Sequence, residues 1–586
     1  LSSSNGPYWN RYKDYEADSR NRLFGYAGVD IDATKWLSFS GRVFMDDYNT
    51  LEEEKTAQDY IPGTYIKRIR TSREMNYQVT ADIKKNLGTD FQLNATVGGN
   101  VMHRLWTTTG GSTTGGFIIK DVYNLNNSAQ TAIPIDDDYE KQINSAFATA
   151  NLGYKNFLFL DLTGRNDWTS TLQKGNNQYF YPSASLSFVF SDLLKDWKWL
   201  SFGKVRGSLA AVGNDADPYH SFNAFDYIPP SGTDPILQFG AVYNNTNLKP
   251  ERTTEVETGV ELKFLDSRIC LDLTYYRRTT KDQIITLPTS SPSGFTGAYV
   301  NGGSVENKGV EIGLNLNPIR LKGGFRWDIN ANIAFNRNKL LNLNIPQYNT
   351  SLPILTIGTD RRTQKVSVVA EGGESWGTRR CTDYTYVNGQ KLVDSLGRYV
   401  PSEIKNIGNA YPDYVDGITT PFSYKGIYLS ALVDLQHGGS FFSYTNLYGE
   451  KSGLLQSTVA NGIRETGLVV PGVTADGKEN TLNITAQDNF IYNGGNTISR
   501  ANLYDASYIY LREAKLGYNL PENWYKKIGA QSARVSLYGR NLWLIKSNAP
   551  NVDPSNILNS ASNIQGIEGG ALPSLRSYGI NLNVSF

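Results

Sequence analysis

The chain of 586 residues is poor in the residues from which most active sites are made: it has 3 histidines, 2 cysteines and 3 methionines. His103, His220 and His437 stand far apart, with no recognisable nucleophile or metal-ligand frame around them. The sequence therefore offers no catalytic residue, no metal site and no cofactor motif. Gly110-Gly111 lacks the strand-to-helix context of a phosphate loop. Cys270 and Cys381 are widely separated, show no Cys/His metal spacing and are not expected to form a disulfide. Net charge is also lacking: 57 basic and 56 acidic residues are interspersed to leave +1, which excludes an electrostatic footprint for nucleic acid. No apolar run approaches the roughly 20 residues that a spanning helix needs, and mean hydropathy is −0.41. A β-barrel escapes that criterion, because only alternate residues of each strand face lipid. Nor is there a charged start followed by an apolar signal core, so Leu1 is not expected to be the native N-terminus.

What is abundant points to strands. The chain holds 37 Tyr, 24 Phe and 55 Gly, a balance of aromatic and turn-forming residues that reads as all-β. Tyr578, Ile580, Leu582, Val584 and Phe586 share one face, with Gly579, Asn581, Asn583 and Ser585 on the other. The same period of two runs through Phe325 to Phe335, Val310 to Leu316, Val256 to Phe264, Ile427 to Leu435 and Ala184 to Phe190.

A soluble β-sandwich alternates as well, so three further features decide between the two. The runs are long: ten residues at roughly 3.3 Å each span about 33 Å, and a tilt near 40° projects this onto about 25 Å, the height of an outer-membrane apolar band. Connections alternate between short and long. Short turns are expected at Asp32 to Lys35, Asn86 to Asp90, Tyr154 to Asn156, Leu265 to Ser267, Tyr424 to Gly426, Pro318 to Gly324 and Pro521 to Ala530. Long loops are expected at 105–138, 215–250, 281–303, 339–410 and 448–504. Finally, the aromatic Phe586 ends the last strand, like the signal by which barrels are handed to their assembly machinery.

The expected architecture is a transmembrane antiparallel up-and-down β-barrel with about seventeen strands in this chain. First and last strands both descend, so the number is odd. A single-chain bacterial barrel needs an even number, because an open edge in lipid leaves backbone groups unpaired. Residues 1–586 are therefore expected to be the C-terminal part of a barrel whose first strands come from an N-terminal part outside this sequence.

Several segments resemble SusC/RagA-like TonB-dependent transporters of Bacteroidetes-type bacteria. They are Asn247-Leu248-Lys249-Pro250-Glu251-Arg252, Asn301-Gly302-Gly303-Ser304 through Glu311, Gly164-Arg165-Asn166-Asp167-Trp168 and Tyr181-Pro182-Ser183-Ala184-Ser185. Ile407-Gly408-Asn409 with Pro412-Asp413, Asp505-Ala506-Ser507-Tyr508 with Leu511-Arg512-Glu513, Gly539-Arg540-Asn541-Leu542-Trp543 and Leu572-Pro573-Ser574-Leu575-Arg576 complete the set. The resemblance implies a 22-stranded barrel in the outer membrane, filled by an N-terminal plug and driven by the TonB complex through that missing part. It further implies a SusD-like surface lipoprotein as lid and an oligosaccharide, or a peptide, as cargo. A passive porin-like channel and a soluble β-rich adhesin or binding module are the competing classes.

Trp106, Arg165, Asp167, Trp168, Tyr219, Tyr243 and Trp376 are the candidate ligand contacts, since rings stack on sugar faces and polar groups bond hydroxyls. For each, a girdle, loop-packing or lid role is the stronger reading. Asp136-Asp137-Asp138 reads as a solvated acidic run, with divalent-cation binding as the alternative.

Overall fold

The computed structural model describes residues 7–586 apart from 60, 195, 229–235, 361 and 558–564. Leu1 and the middle of the expected 215–250 loop lie outside the described residues. Seventeen long strands follow one another: β1 Tyr15–Asp32, β2 Leu37–Thr56, β3 Thr64–Leu87, β4 Phe91–Phe117, β5 Ser128–Tyr154, β6 Leu158–Thr169, β7 Gln178–Val189, β8 Leu200–Asn214 and β9 Glu251–Phe264. Then come β10 Ile269–Pro288, β11 Gly297–Arg320, β12 Arg326–Asn342, β13 Tyr414–Tyr424, β14 Ile427–His437, β15 Tyr508–Asn519, β16 Ser532–Ser547 and β17 Ser577–Ser585. With the two-residue strand Val242–Tyr243 they make up an 18-stranded sheet. Among the described residues the expected count of about seventeen and the up-and-down order are both observed.

Two compact units divide the chain. One comprises Leu1–Leu186, Leu209–Thr254 and Asp282–Asn301; the other comprises Ser187–Ser208, Glu255–Lys281 and Gly302–Phe586. In the first unit β1 to β6 pair antiparallel in chain order. Directly opposed residues share a face, so register converts sequence alternation into rows across the sheet. One row reads Ile31, Phe39, Ala81, Val97 and Ala148, and one residue further along each strand the other face reads Asp32, Ser38, Asp82, Thr96, Thr149 and Thr163.

In the second unit β11 to β17 also pair in chain order. Trp327, Phe422, Leu429, Leu516, Leu537 and Ile580 form an apolar row over six strands, and Arg326, Ser423, Tyr428, Gly517, Ser536 and Asn581 form the polar row beside it. These apolar side chains are not buried: Leu516 is 50% exposed, Leu537 55% and Ile580 72%. A sandwich would hide that face in its interior. A sheet whose apolar side is the bare one is built for contact with lipid. No helix among the described residues is long and apolar enough to cross a membrane.

The short turns are where the sequence puts them. Lys425 (φ 45°) and Gly426 (φ 89°) are both left-handed, the two-residue turn that matches strand twist and joins Tyr424 to Ile427. The turn expected from Pro318 begins later, because Ile319 and Arg320 still pair with Trp327 and Arg326 beyond a bulge.

Two long loops need correcting. Most of 105–138 is paired backbone: β4 and β5, each 27 residues long, hold register from Phe91 opposite Tyr154 up to Ser112 opposite Ile133. Likewise 281–303 is mostly strand, with β10 reaching Pro288 and β11 starting at Gly297. At about 3.3 Å per residue, strands of that length far exceed an apolar band of about 25 Å, so their upper parts stand in water. There the Thr- and Gly-rich sequence loses its alternation while the ladder continues.

Loops 339–410 and 448–504 are instead folded bodies. A four-stranded sheet combines Ile354–Thr359, Ser367–Glu371, Thr378–Tyr384 and Pro401–Asn409. Val366, Cys381, Ile407, Phe442, Tyr444, Leu447 and Leu503 form a buried cluster beside it, and Val393, Val470 and Ile484 form a second. Both cysteines are free thiols, Cys381 inside the first cluster.

Candidate ligand-contacting surface

Alternation along β4, β5 and β6 selects which side chains can meet a solute on the polar face. Arg104 and Trp106 on β4 stand opposite Lys141 and Tyr139 on β5, while Ser145 stands opposite Asp167 on β6. Trp106 is half-buried, and the Arg104 guanidinium lies over its ring at 4.1 Å from the centroid. Tyr139 approaches Tyr219 at 5.9 Å between centroids, and Tyr219 in turn meets Phe222 edge-on at 5.8 Å. Tyr219 adopts φ 70°, unusual for a bulky residue, and its hydroxyl accepts from the Glu140 amide at 3.3 Å. The exposed rings of Tyr139 and Tyr219, beside a cation, offer flat apolar faces with polar edges.

Beside them runs a charged network. Lys141 Nζ lies 2.6 Å from Asp215, which also accepts from Thr169 Oγ1 (2.5 Å) and Thr171 Oγ1 (3.1 Å). Arg165 donates from Nε to Asp167 (2.7 Å) and from Nη2 to Ser145 Oγ (2.7 Å), and the Tyr181 hydroxyl donates to Asp167 at 2.9 Å. Asp167 is buried by these partners. Arg165 and Asp167 are thus committed to each other and to the wall, as a satisfied network that fixes the polar face.

The other candidates separate. Trp168 follows Asp167 on β6 and so points to the opposite, apolar face, where it is exposed and its indole N–H reaches Gln178 at 3.1 Å. An exposed ring with a bonded N–H on the apolar face suits a girdle residue. Tyr243 packs edge-on against Phe295 at 5.3 Å. Trp376 belongs to the second unit, where its backbone amide donates to Asn338 Oδ1 at 2.8 Å. Of the seven, Trp106 and Tyr219 are brought together through Tyr139, and Arg165 with Asp167.

Sequence reading missed Arg104, Tyr139, Lys141 and Asp215. For Arg104, Tyr139 and Lys141 the available signal was their parity with Trp106 across paired strands, hidden by placing 105–138 in a loop; Asp215 lies just past β8 and carries no such signal.

Asp136, Asp137 and Asp138 are strand residues opposite Thr109, Thr108 and Thr107, and no cluster able to hold a metal ion occurs among the described residues. The three histidines occupy unrelated settings. His103 pairs with Glu140 at 2.6 Å, His437 stacks on Tyr414 at 5.0 Å, and His220 stacks on Tyr299 at 4.2 Å, where burial holds its pKa below the ordinary imidazole value.

A large antiparallel sheet with one bare apolar face and one charged face defines the wall of an outer-membrane β-barrel. The chain belongs to the TonB dependent receptor-like β-barrel family, whose sequence profile matches residues 1–542. The barrels of that family are outer-membrane proteins, and its members are receptors and transporters. Among relatives, TonB-dependent receptor P3 of Formosa agariphila is 27% identical over 495 residues, covering 79% of this chain and 47% of that protein. TonB-dependent receptor SusC of Bacteroides thetaiotaomicron is 30% identical over 213 residues, 34% of this chain and 21% of that protein. The solved RagAB peptide transporter aligns over 99% of this chain and 63% of its own, with TM-score 0.79 and 21% identity, a likeness of fold. The chain spans about half the length of the first relatives it matches.

Proposed function

We propose that this chain is the C-terminal part of a SusC/RagA-like barrel that imports a nutrient across the outer membrane in a TonB-dependent way. The observation that carries the reading is the opposition of faces, with Leu516, Leu537 and Ile580 bare on one side and Ser536 and Asn581 on the other. A wall of that kind surrounds water, and a wide water-filled barrel leaks unless it is plugged. β1 pairs with β2 and β17 with β16, and an odd number of up-and-down strands leaves an edge open. Free strand edges in lipid favour completion by further strands from the N-terminal part, which on this reading also carries the plug and the TonB contact. A SusD-like lipoprotein serves as lid. The protein performs no chemistry on its cargo.

An oligosaccharide is the favoured cargo, because the exposed rings of Tyr139 and Tyr219 beside Trp106 suit sugar faces. The peptide reading rests on the cations Arg104 and Lys141 on the same face. Uptake by a strain carrying the full-length gene tests both: labelled oligosaccharide should enter, and entry should stop when TonB is removed. Entry that persists without TonB contradicts active import in favour of a passive channel, and entry of labelled peptides alone reverses the cargo assignment.

A further inference from the structure

Arg379 is a cation without a counter-charge. It lies on the strand Thr378–Tyr384 opposite Val368, and two residues on, along the same face, Cys381 joins the apolar cluster with Val366, Ile407 and Phe442. The residue is 0% exposed. Nη2 donates to Ser440 Oγ at 2.8 Å, while Nε and Nη1 have no hydrogen-bond partner. No carboxylate pairs with it among the described residues. Ser440 Oγ cannot make up the deficit, since it is neutral and itself donates to the Asn409 carbonyl. Burial lowers the Arg379 pKa to about 9, which leaves the side chain charged at neutral pH, and raises the Cys381 thiol to about 11, which leaves that group neutral.

A buried charge with two unused donors is among the most unfavourable elements a fold can hold, and such groups are ordinarily paired. The neighbourhood is built around it nonetheless. Gly566, at φ 86°, packs so closely on Nη1 that a Cβ there would fall 1.7 Å away, and its carbonyl accepts from the Phe442 amide at 2.8 Å. Two residues later Glu568, 1% exposed, is fastened by the Ser443 hydroxyl and the amides of Thr445 and Ala571. The segment covering the guanidinium is therefore held in place by a different residue, and Arg379 itself gains nothing from the closed arrangement.

We propose that Arg379 anchors an oxyanion subsite: a carboxylate or sulfate group takes the free Nε and Nη1 donors when Gly566 moves aside. The planar guanidinium suits two-oxygen acceptors better than it suits a spherical anion. The inference does not depend on the import reading, because it concerns binding alone.

The test is hydrogen exchange on the purified full-length protein in detergent, in sodium acetate or sodium sulfate against sodium chloride at equal ionic strength. Amides of 566–571 should exchange about fivefold faster with the oxyanions, because an anion that binds only when Gly566 has moved aside favours the open state. Those of Ile427–His437 should be unchanged. In Arg379→Met the difference should vanish, and in Arg379→Lys it should shrink. Equal exchange in all three salts, a change spread equally over 427–437, or a difference that survives in Arg379→Met each overturns the proposal. Should Arg379→Met fail to fold, the salt comparison on the parent protein decides.

Discussion

The two compact units build the parts that stand beyond the apolar band in different ways. In the first, β2 to β5 simply continue, for 20 to 27 residues, as paired backbone. In the second, β13 and β14 stop after 11 residues, and the chain beyond them folds into small sheets and helices around their own buried clusters. A ladder is held by main-chain hydrogen bonds that any non-proline residue can make, whereas a loop core is held by particular side chains. The first design tolerates substitution; the second concentrates stability in a few residues.

The sharpest contrast is expected from Phe442→Ala against Thr108→Ala. Phe442 is 0% exposed in the loop core, and its truncation should cost that body about 3–5 kcal/mol. The ladder residue should change stability by less than about 0.5 kcal/mol. Limited proteolysis of residues 438–507 should become rapid in the first variant alone. Equal resistance would break the comparison.

Next in size is a charge on the bare face. Leu516→Arg should destabilise the barrel by about 2–4 kcal/mol in bilayer refolding, while Lys515→Gln, one residue along on the polar face, should be nearly neutral.

Acid sensitivity should also separate the units. Asp360 is buried yet accepts from the Tyr444 hydroxyl (2.6 Å) and the amides of Thr363, Lys365 and Val366 (2.6, 2.8 and 2.9 Å). Burial opposes ionisation and these donors outweigh it, so its pKa is lowered from 3.8 to about 2. A depressed carboxylate contributes stability that is fully present above its unfolded pKa and is lost as pH falls through the folded one. The amides of Thr363, Lys365 and Val366 should stay protected from exchange above about pH 4 and lose protection towards pH 2, and Asp360→Asn should flatten that profile. A profile unchanged by the substitution would remove Asp360 as its cause.

The smallest effect concerns cargo. Trp106→Ala should weaken binding about tenfold by loss of one stacking face, whereas Trp168→Ala, on the apolar face, should leave affinity unaltered. Equal losses in titration would show that the two faces do not sort these residues.

Much of this was legible in the sequence. Leu429 and Ile580 sit in runs with a period of two, so those strands and their faces follow from hydrophobic pattern, and the spacing of short turns and long loops supplies the count. Thr107 to Ser112 were misplaced because a strand standing in water on both sides needs no alternation, and its register lies in the backbone. The loop core was not legible for a different reason. Glu568 closes on Ser443 from 125 positions away and Asp360 on Tyr444 from 84, and no local pattern announces such partners. Parity alone sorts the candidate contacts by face: Trp106 and Arg165 lie on the polar face, while Trp168 falls one step out of phase.

The decisive measurement is a cysteine scan through β15, β16 and β17 of the full-length protein in lipid vesicles. Spin labels at 515, 516, 537, 538, 580 and 581 would be read for relaxation by oxygen, which concentrates in lipid, and by a water-soluble nickel chelate. Oxygen should dominate at 516, 537 and 580 and the chelate at 515, 538 and 581. Labels on both faces that respond alike to the chelate, or a set at 516, 537 and 580 reached by neither agent, would mean that no lipid touches this sheet.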